Sequence, residues 1–312
     1  EESLLVGVFA ADPETSYGYA GAAAAAARLL GWDEYLESAI RAWDWAEANE
    51  TEQLAALQKR RPDRVKKATR DTTAAKGRAA IELFRATGDP KYHDAINREM
   101  LADLPNASAY AMVTESEANA DLREAALELI RKKADEAVSF SSKNGFNLAM
   151  ADHLYLPMMG YASIWSVPGS GNPNPLVRAH YHLGEERFLA ALIGSALYSA
   201  GANPMNRIYT TGLGPLERQP SRPLHLDYRR SGQAVPEGIS VYGQSDPAMN
   251  YGFDAFAHQW YLNRFGGVDS KQWPTAEAYI DLGMWPAMNE YTVAQNLGPT
   301  AFVWGYLAAR GR

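Results

Sequence analysis

The sequence has no cysteine, so no disulfide framework and no thiolate metal site contributes to it. Its six histidines fall at spacings that make no metal triad, and His180 with His182 reads as surface or helix-start chemistry. Gly-x-Gly-x-x-Gly and phosphate-loop patterns are missing, as is the Gly-x-Ser-x-Gly elbow of serine hydrolases. Long apolar runs are missing too. The richest tract, Ala20 to Leu30, is mostly alanine and contains Arg28, and nothing approaches the ~20 residues that span a bilayer. Positive charge is not in excess: the net charge is −7, which argues against nucleic acid or an anionic membrane as partner. The basic run Lys59 to Lys67 reads as a solvated face. No segment shows strand alternation, so the expected class is all-α.

With 312 residues, 46% of them hydrophobic, the chain can bury a sizeable core. Eight Trp and seventeen Tyr suit either an aromatic core or a cleft that stacks sugar rings. Asp12 to Ser16 signals a cap before a helix from about Tyr17 to Leu30, with a second helix from Asp33. A motif then recurs: Gly31 to Tyr35, Gly88 to Tyr92 and Gly184 to Phe188 each set an aromatic four places after a glycine. Glycine at C′, a polar first turn and an aromatic packing back predict helical hairpins in repeat. Leu122, Ala126, Leu129, Ile130 and Ala137 mark an amphipathic helix, and Leu189 to Ala200 another. Residues 105–114 read as an irregular connector, 144–175 and 215–247 as long loops, and long loops in a helical chain are usually functional. The last helix is expected to end near Ala309.

Two stretches hold candidate chemistry. From Tyr279 to Asn296, Asp281 and Glu290 stand among Met284, Trp285, Pro286, Met288 and Tyr291. A carboxyl against apolar rings has its pKa raised, as a general acid requires, while a helix-start carboxylate stabilised by the macrodipole is an equal reading of the same residues. In the loop from Pro223 to Arg230, alternation puts His225, Asp227 and Arg229 on one face. They suit sugar hydroxyls, or else tie the loop with salt bridges.

The order Tyr279-x-Asp281, Glu290 nine places on, then Thr292 and Asn296, resembles the C-terminal signature of glycoside hydrolase family 9, the inverting cellulases. Pro286 and Leu297 depart from the pattern. Asn203, Pro204, Tyr209, Thr211, Gly212 and Gly214 resemble the family's Asn-Pro…Tyr-Val-Thr-Gly-Phe-Gly element. Pro223 and His225 resemble the end of its first signature, with Arg229 one place late and Arg230 as competitor.

The resemblance implies a single (α/α)6-barrel domain over 1–312, a toroid of helical hairpins incomplete at its N-terminus. It implies Glu290 as general acid and Asp281 as a further catalytic-site carboxylate that orients rather than acts as base. His225, Asp227 and Arg229 would bind the sugar, with Tyr209, Trp165 and Tyr291 as stacking or hydrogen-bonding partners. The family's base lies in Asp-x-Gly-Asp-Tyr, a motif not found in these residues and therefore expected upstream of Glu1. The implied substrate is a β-1,4-glucan, cleaved with inversion. An exo-acting glucosaminidase or oligosaccharidase and a non-catalytic carbohydrate-binding toroid are the alternatives. The resemblance implies no required cofactor; it leaves room for a structural calcium that the residues do not reveal, and no metal ligands are assigned. A secreted or periplasmic location follows from the resemblance, although the sequence opens Glu-Glu without a signal peptide.

Overall fold

A computed structural model of the chain describes residues 11–149, 174–221, 223, 232, 235–244, 277–281, 286–293, 296 and 300–310. Most of these residues are helical, and the only β pairing among them is an isolated antiparallel bridge between Thr210 and Ser240. Contacts divide the chain into two compact units, Glu1–Ile130 and Arg131–Arg312.

The first unit begins with α1, Pro13–Leu30, which starts a turn earlier than expected because Asp12 caps it, accepting from the Thr15 N–H at 2.9 Å. Its small residues Ala20, Gly21, Ala23, Ala24 and Ala27 are buried. A Cβ on Gly21 would come within 3.2 Å of the Ala79 backbone nitrogen, so the bare glycine lets α1 approach α3, Pro62–Thr87, closely. α2, Glu34–Arg60, runs up to the basic stretch, where Arg61 and Pro62 break it from α3. Tyr17 of α1 meets Trp43 of α2 edge-on at 5.2 Å, and Trp43 in turn meets Tyr92 of α4, Pro90–Asp94, at 5.4 Å.

Much of the stretch 105–114, expected to be irregular, instead belongs to a buried helix, α5, Leu104–Tyr110. Asp103 caps it through the Asn106 N–H, and the Asn106 amide donates to the carbonyls of Ala74 in α3 (2.8 Å) and Met100 (3.0 Å). α6, Ala120–Ser141, buries Ala126, Ile130, Ala134 and Ala137 at helical spacing.

In the second unit, α7, Asn174–Leu183, and α8, Glu186–Ser199, form a hairpin, and α10, Ala301–Arg310, contacts both. The buried His180 joins Tyr306 of α10 at 2.6 Å.

Each of the three expected hairpin glycines takes the left-handed conformation: φ is 71° at Gly31, 71° at Gly88 and 70° at Gly184. Two of the three following aromatics, Tyr92 and Phe188, are fully buried. Tyr35 is not; it is 39% exposed and lies against Trp32. No helix among the described residues is long and apolar enough to cross a membrane.

Candidate active site

The second unit carries the stretch with the two candidate carboxylates. Residues 286–289, which include the pattern-breaking Pro286, form one helical turn, α9, Pro286–Asn289. Proline suits this first helical position because its missing N–H needs no partner. Residues 279 and 280 clasp this turn. The Tyr279 hydroxyl donates to Asn289 Oδ1 at 3.0 Å, Asn289 Nδ2 donates to the Ile280 carbonyl at 2.8 Å, and the Ile280 N–H meets Met288 Sδ at 3.1 Å. Met288 and Asn289 are fully buried.

A third segment, 239–243, is laid between two others by its backbone. Thr211 N–H donates to the Ile239 carbonyl (2.9 Å) and Val241 N–H to the Tyr209 carbonyl (3.0 Å), while Tyr242 and Gly243 donate to the carbonyls of Glu290 (3.0 Å) and Met288 (2.9 Å). Asn296 Oδ1 accepts from the Ser240 N–H at 2.6 Å. The signature residues Tyr279, Asp281, Glu290 and Asn296 are thus brought into one bonded assembly.

Glu290 follows α9 directly. Its backbone carbonyl is fixed by Tyr242, its two predecessors are buried, and its own side chain is only partly covered. Tyr291 beside it is likewise half-buried, and burial pushes its hydroxyl pKa up. Asp281 holds the other end of the clasp. Its Oδ2 accepts from the Ser221 N–H at 2.9 Å and the Ser221 hydroxyl at 2.6 Å, with Arg207 Nη2 at 3.5 Å. The same guanidinium binds the carbonyls of Glu217 (3.0 Å) and Gln219 (3.4 Å), and packs over the Tyr279 ring with the cation 5.6 Å from its centroid. Asp281 is therefore tied to the chain just ahead of the Pro223–Arg230 stretch.

Tyr209, expected to touch a sugar, is placed inside: it has no exposed surface and meets Tyr279 edge-on at 5.1 Å. A ring with no open face supports its neighbours instead of stacking on a ligand. His225, Asp227, Arg229 and Trp165 lie outside the described residues. Asn289, Arg207 and Ser221 were not singled out from the sequence. Asn289 had a signal, since it is the other half of the Asn-Glu pair; Arg207 and Ser221 had none. No group of three or more His, Asp or Glu among the described residues is arranged to hold a metal ion.

No protein-family model matches the chain, and no curated protein sequence does. Solved structures match it throughout. A metagenome-derived glycoside hydrolase family 9 endoglucanase matches with a TM-score of 0.66 at 18% identity, over 94% of this chain and 52% of that one. A Bacteroides ovatus family 9 protein gives 0.64 at 17%, over 96% and 54%. AaCel9A, in complex with a cellobiose-like isofagomine, gives 0.65 at 17%, over 95% and 55%.

The fold is that of glycoside hydrolase family 9. This is the all-α, (α/α)6 class expected from the sequence, and the chain spans about half the length of the solved structures it matches.

Proposed function

We infer that this chain forms part of an inverting β-1,4-glucan hydrolase of the family 9 kind, in which Glu290 protonates the leaving glycosidic oxygen. The observation that carries the reading is the clasp: a buried, hydrogen-bonded turn holds the backbone of Glu290 in place while its carboxyl remains partly open. A general acid needs that combination of fixed position and access to a bound substrate. Asp281 serves as a positioning carboxylate. By holding Ser221 it fixes the root of the stretch in which His225, Asp227 and Arg229 would grip the sugar, with Tyr291 and Trp165 as candidate rings. The cellobiose-like ligand of AaCel9A supports a glucan as substrate. The Asp-x-Gly-Asp motif of a water-activating base does not occur in these residues, so the acid half of the reaction alone is assigned to this chain.

The test is Glu290→Gln in the complete enzyme, a change that keeps size and hydrogen bonding but cannot give up a proton. Turnover of cellooligosaccharides should fall by at least the ~10²–10⁴ that acid–base catalysis supplies. Aryl glycosides with acidic phenol leaving groups, which need little protonation, should be spared. The basic limb of the pH–rate profile should vanish with the acid. Cleavage of cellooligosaccharides by Glu290→Gln at the wild-type rate would remove the assignment.

A further inference from the structure

Glu290 is held on both sides along the chain. Tyr279 and Asn289 fix the turn before it. What fixes the chain after it is Asn296.

The reason lies in the backbone at Ser240. Ser240 faces Thr210 in the antiparallel bridge, and the bonds of that pairing come from the neighbours, Val241 N–H to Tyr209 and Thr211 N–H to Ile239. The N–H of Ser240 itself therefore points away from the pairing, as does that of Tyr242, which bonds the Glu290 carbonyl. Ser240 is 1% exposed, so its N–H needs a partner within the protein. The Thr292 carbonyl, two residues past Glu290, is taken up locally. It accepts from the Asn296 N–H at 3.1 Å and from Asn296 Nδ2 at 3.0 Å, which fills both of its lone pairs. Asn296 Oδ1 supplies the acceptor instead, at 2.6 Å from the Ser240 nitrogen.

One amide thus closes a ring of hydrogen bonds through Glu290. The ring runs from Glu290 to Thr292 along the chain, crosses Asn296 to Ser240, continues to Tyr242 and returns to the Glu290 carbonyl. Its far side has a firm footing. Ser240 Oγ lies 2.6 Å from Thr210 Oγ1, which lies 3.3 Å from Ser199 Oγ at the end of α8, and all three residues are buried. The position demands a donor and an acceptor on one short side chain. Aspartate lacks the donor, and alanine lacks both.

We propose that Asn296 is a positioning residue for the general acid: it fastens the chain behind Glu290 to the anchored segment and so sets where the carboxyl stands. The inference rests on the reading of Glu290 proposed above.

The test compares Asn296→Ala with the wild type in the complete enzyme, on two substrates and with or without Glu290→Gln. Misplacing a reacting group by about 1 Å costs up to ~10²-fold, so kcat on cellooligosaccharides should fall by up to that factor with KM little changed. Aryl glycosides with acidic phenol leaving groups should be spared, because they need little protonation. In the Glu290→Gln background the same change should cost nothing further, since no proton is left to place. A residue that merely braced the fold would slow both substrates alike and add its loss to that of Glu290→Gln; either result overturns the proposal. If Asn296→Ala does not fold, Asn296→Asp, which keeps the acceptor for Ser240 and loses the donor to Thr292, is judged by the same comparisons. Full cellooligosaccharide turnover by Glu290→Gln removes the reading of the acid and this inference with it. Turnover lost in Glu290→Gln but kept in the Asn296 variant removes this inference alone.

Discussion

Asp281 joins stretches far apart in the sequence, since Ser221 lies 60 residues before it and Arg207 74. The two hydrogen bonds from Ser221 go to a single carboxylate oxygen, and bonds to a charged acceptor are the stronger kind. If the contact positions the sugar-binding stretch, it should appear as energetic coupling. Asp281→Asn and Ser221→Ala should each lower kcat/KM, and the double variant should lose less than the sum by about 0.5–3 kcal/mol, the range for residues in contact. The check is a double-mutant cycle on cellooligosaccharide hydrolysis with Tm recorded for all four proteins. Strict additivity would show that Asp281 does not act through Ser221. Tyr209 makes a contrasting point at the same scale. A tyrosine in a motif suggests a ligand contact, but type alone cannot distinguish a wall residue from a core residue, and burial against Tyr279 makes it core.

Among elements, the helix interiors show how one substitution takes opposite signs. Gly18 in α1 is exposed, and a Cβ added there would meet nothing within 4 Å, whereas a Cβ on Gly77 in α3 would sit 2.6 Å from Met100 Cβ and 2.9 Å from Asn106 Nδ2. Gly18→Ala should therefore stabilise the protein by up to ~1 kcal/mol through helix propensity. Gly77→Ala should destabilise it by about 1–3 kcal/mol, because overpacking displaces the Asn106 amide from its two carbonyls. Thermal or denaturant unfolding of the two variants checks this, and a stabilised Gly77→Ala would refute the tight contact. The hairpin glycines were legible because a left-handed C′ residue is a local requirement that glycine alone meets cheaply. α5 was not, because its short run with Pro105 and Asn106 reads as a loop until α3 supplies the carbonyl that Asn106 bonds. The same division holds at the site. Tyr279, Asp281, Glu290 and Asn296 lie within one short stretch and declare themselves by spacing, while Arg207, Ser221 and Ser240 reach it only through folding.

For the molecule as a whole, buried tyrosines set the response to alkali. Tyr17, Tyr198 and Tyr209 have no exposed surface, and burial before any other cause pushes their hydroxyl pKa values up. The folded chain keeps protons that the unfolded chain releases above pH ~10. Their contribution is therefore intact below that pH and is lost as pH rises, at about 1.4 kcal/mol per pH unit for each tyrosine. Tm should change little from this source between pH 7 and 9 and drop steeply beyond ~10. Tyr198→Phe should start less stable, having lost its 2.7 Å bond to Gln244, but should show a shallower alkaline slope. An unchanged slope would mean that Tyr198 ionises as readily folded as unfolded.

The segment 239–243 also has a consequence in time. Its side-chain-mediated links reach back 28 residues, from Ile239 to Thr211, and forward 56, from Ser240 to Asn296. The hairpin of α1 and α2, by contrast, closes across one short turn. Contacts of such long range must first overcome the entropy of closing large loops, so local helical pairs form before them. In refolding followed by pulsed hydrogen exchange, the amides of α1 to α3 should be protected first and those of Val241 to Gly243 last. The backbone that holds Glu290 would then be the final part of the chain to be secured.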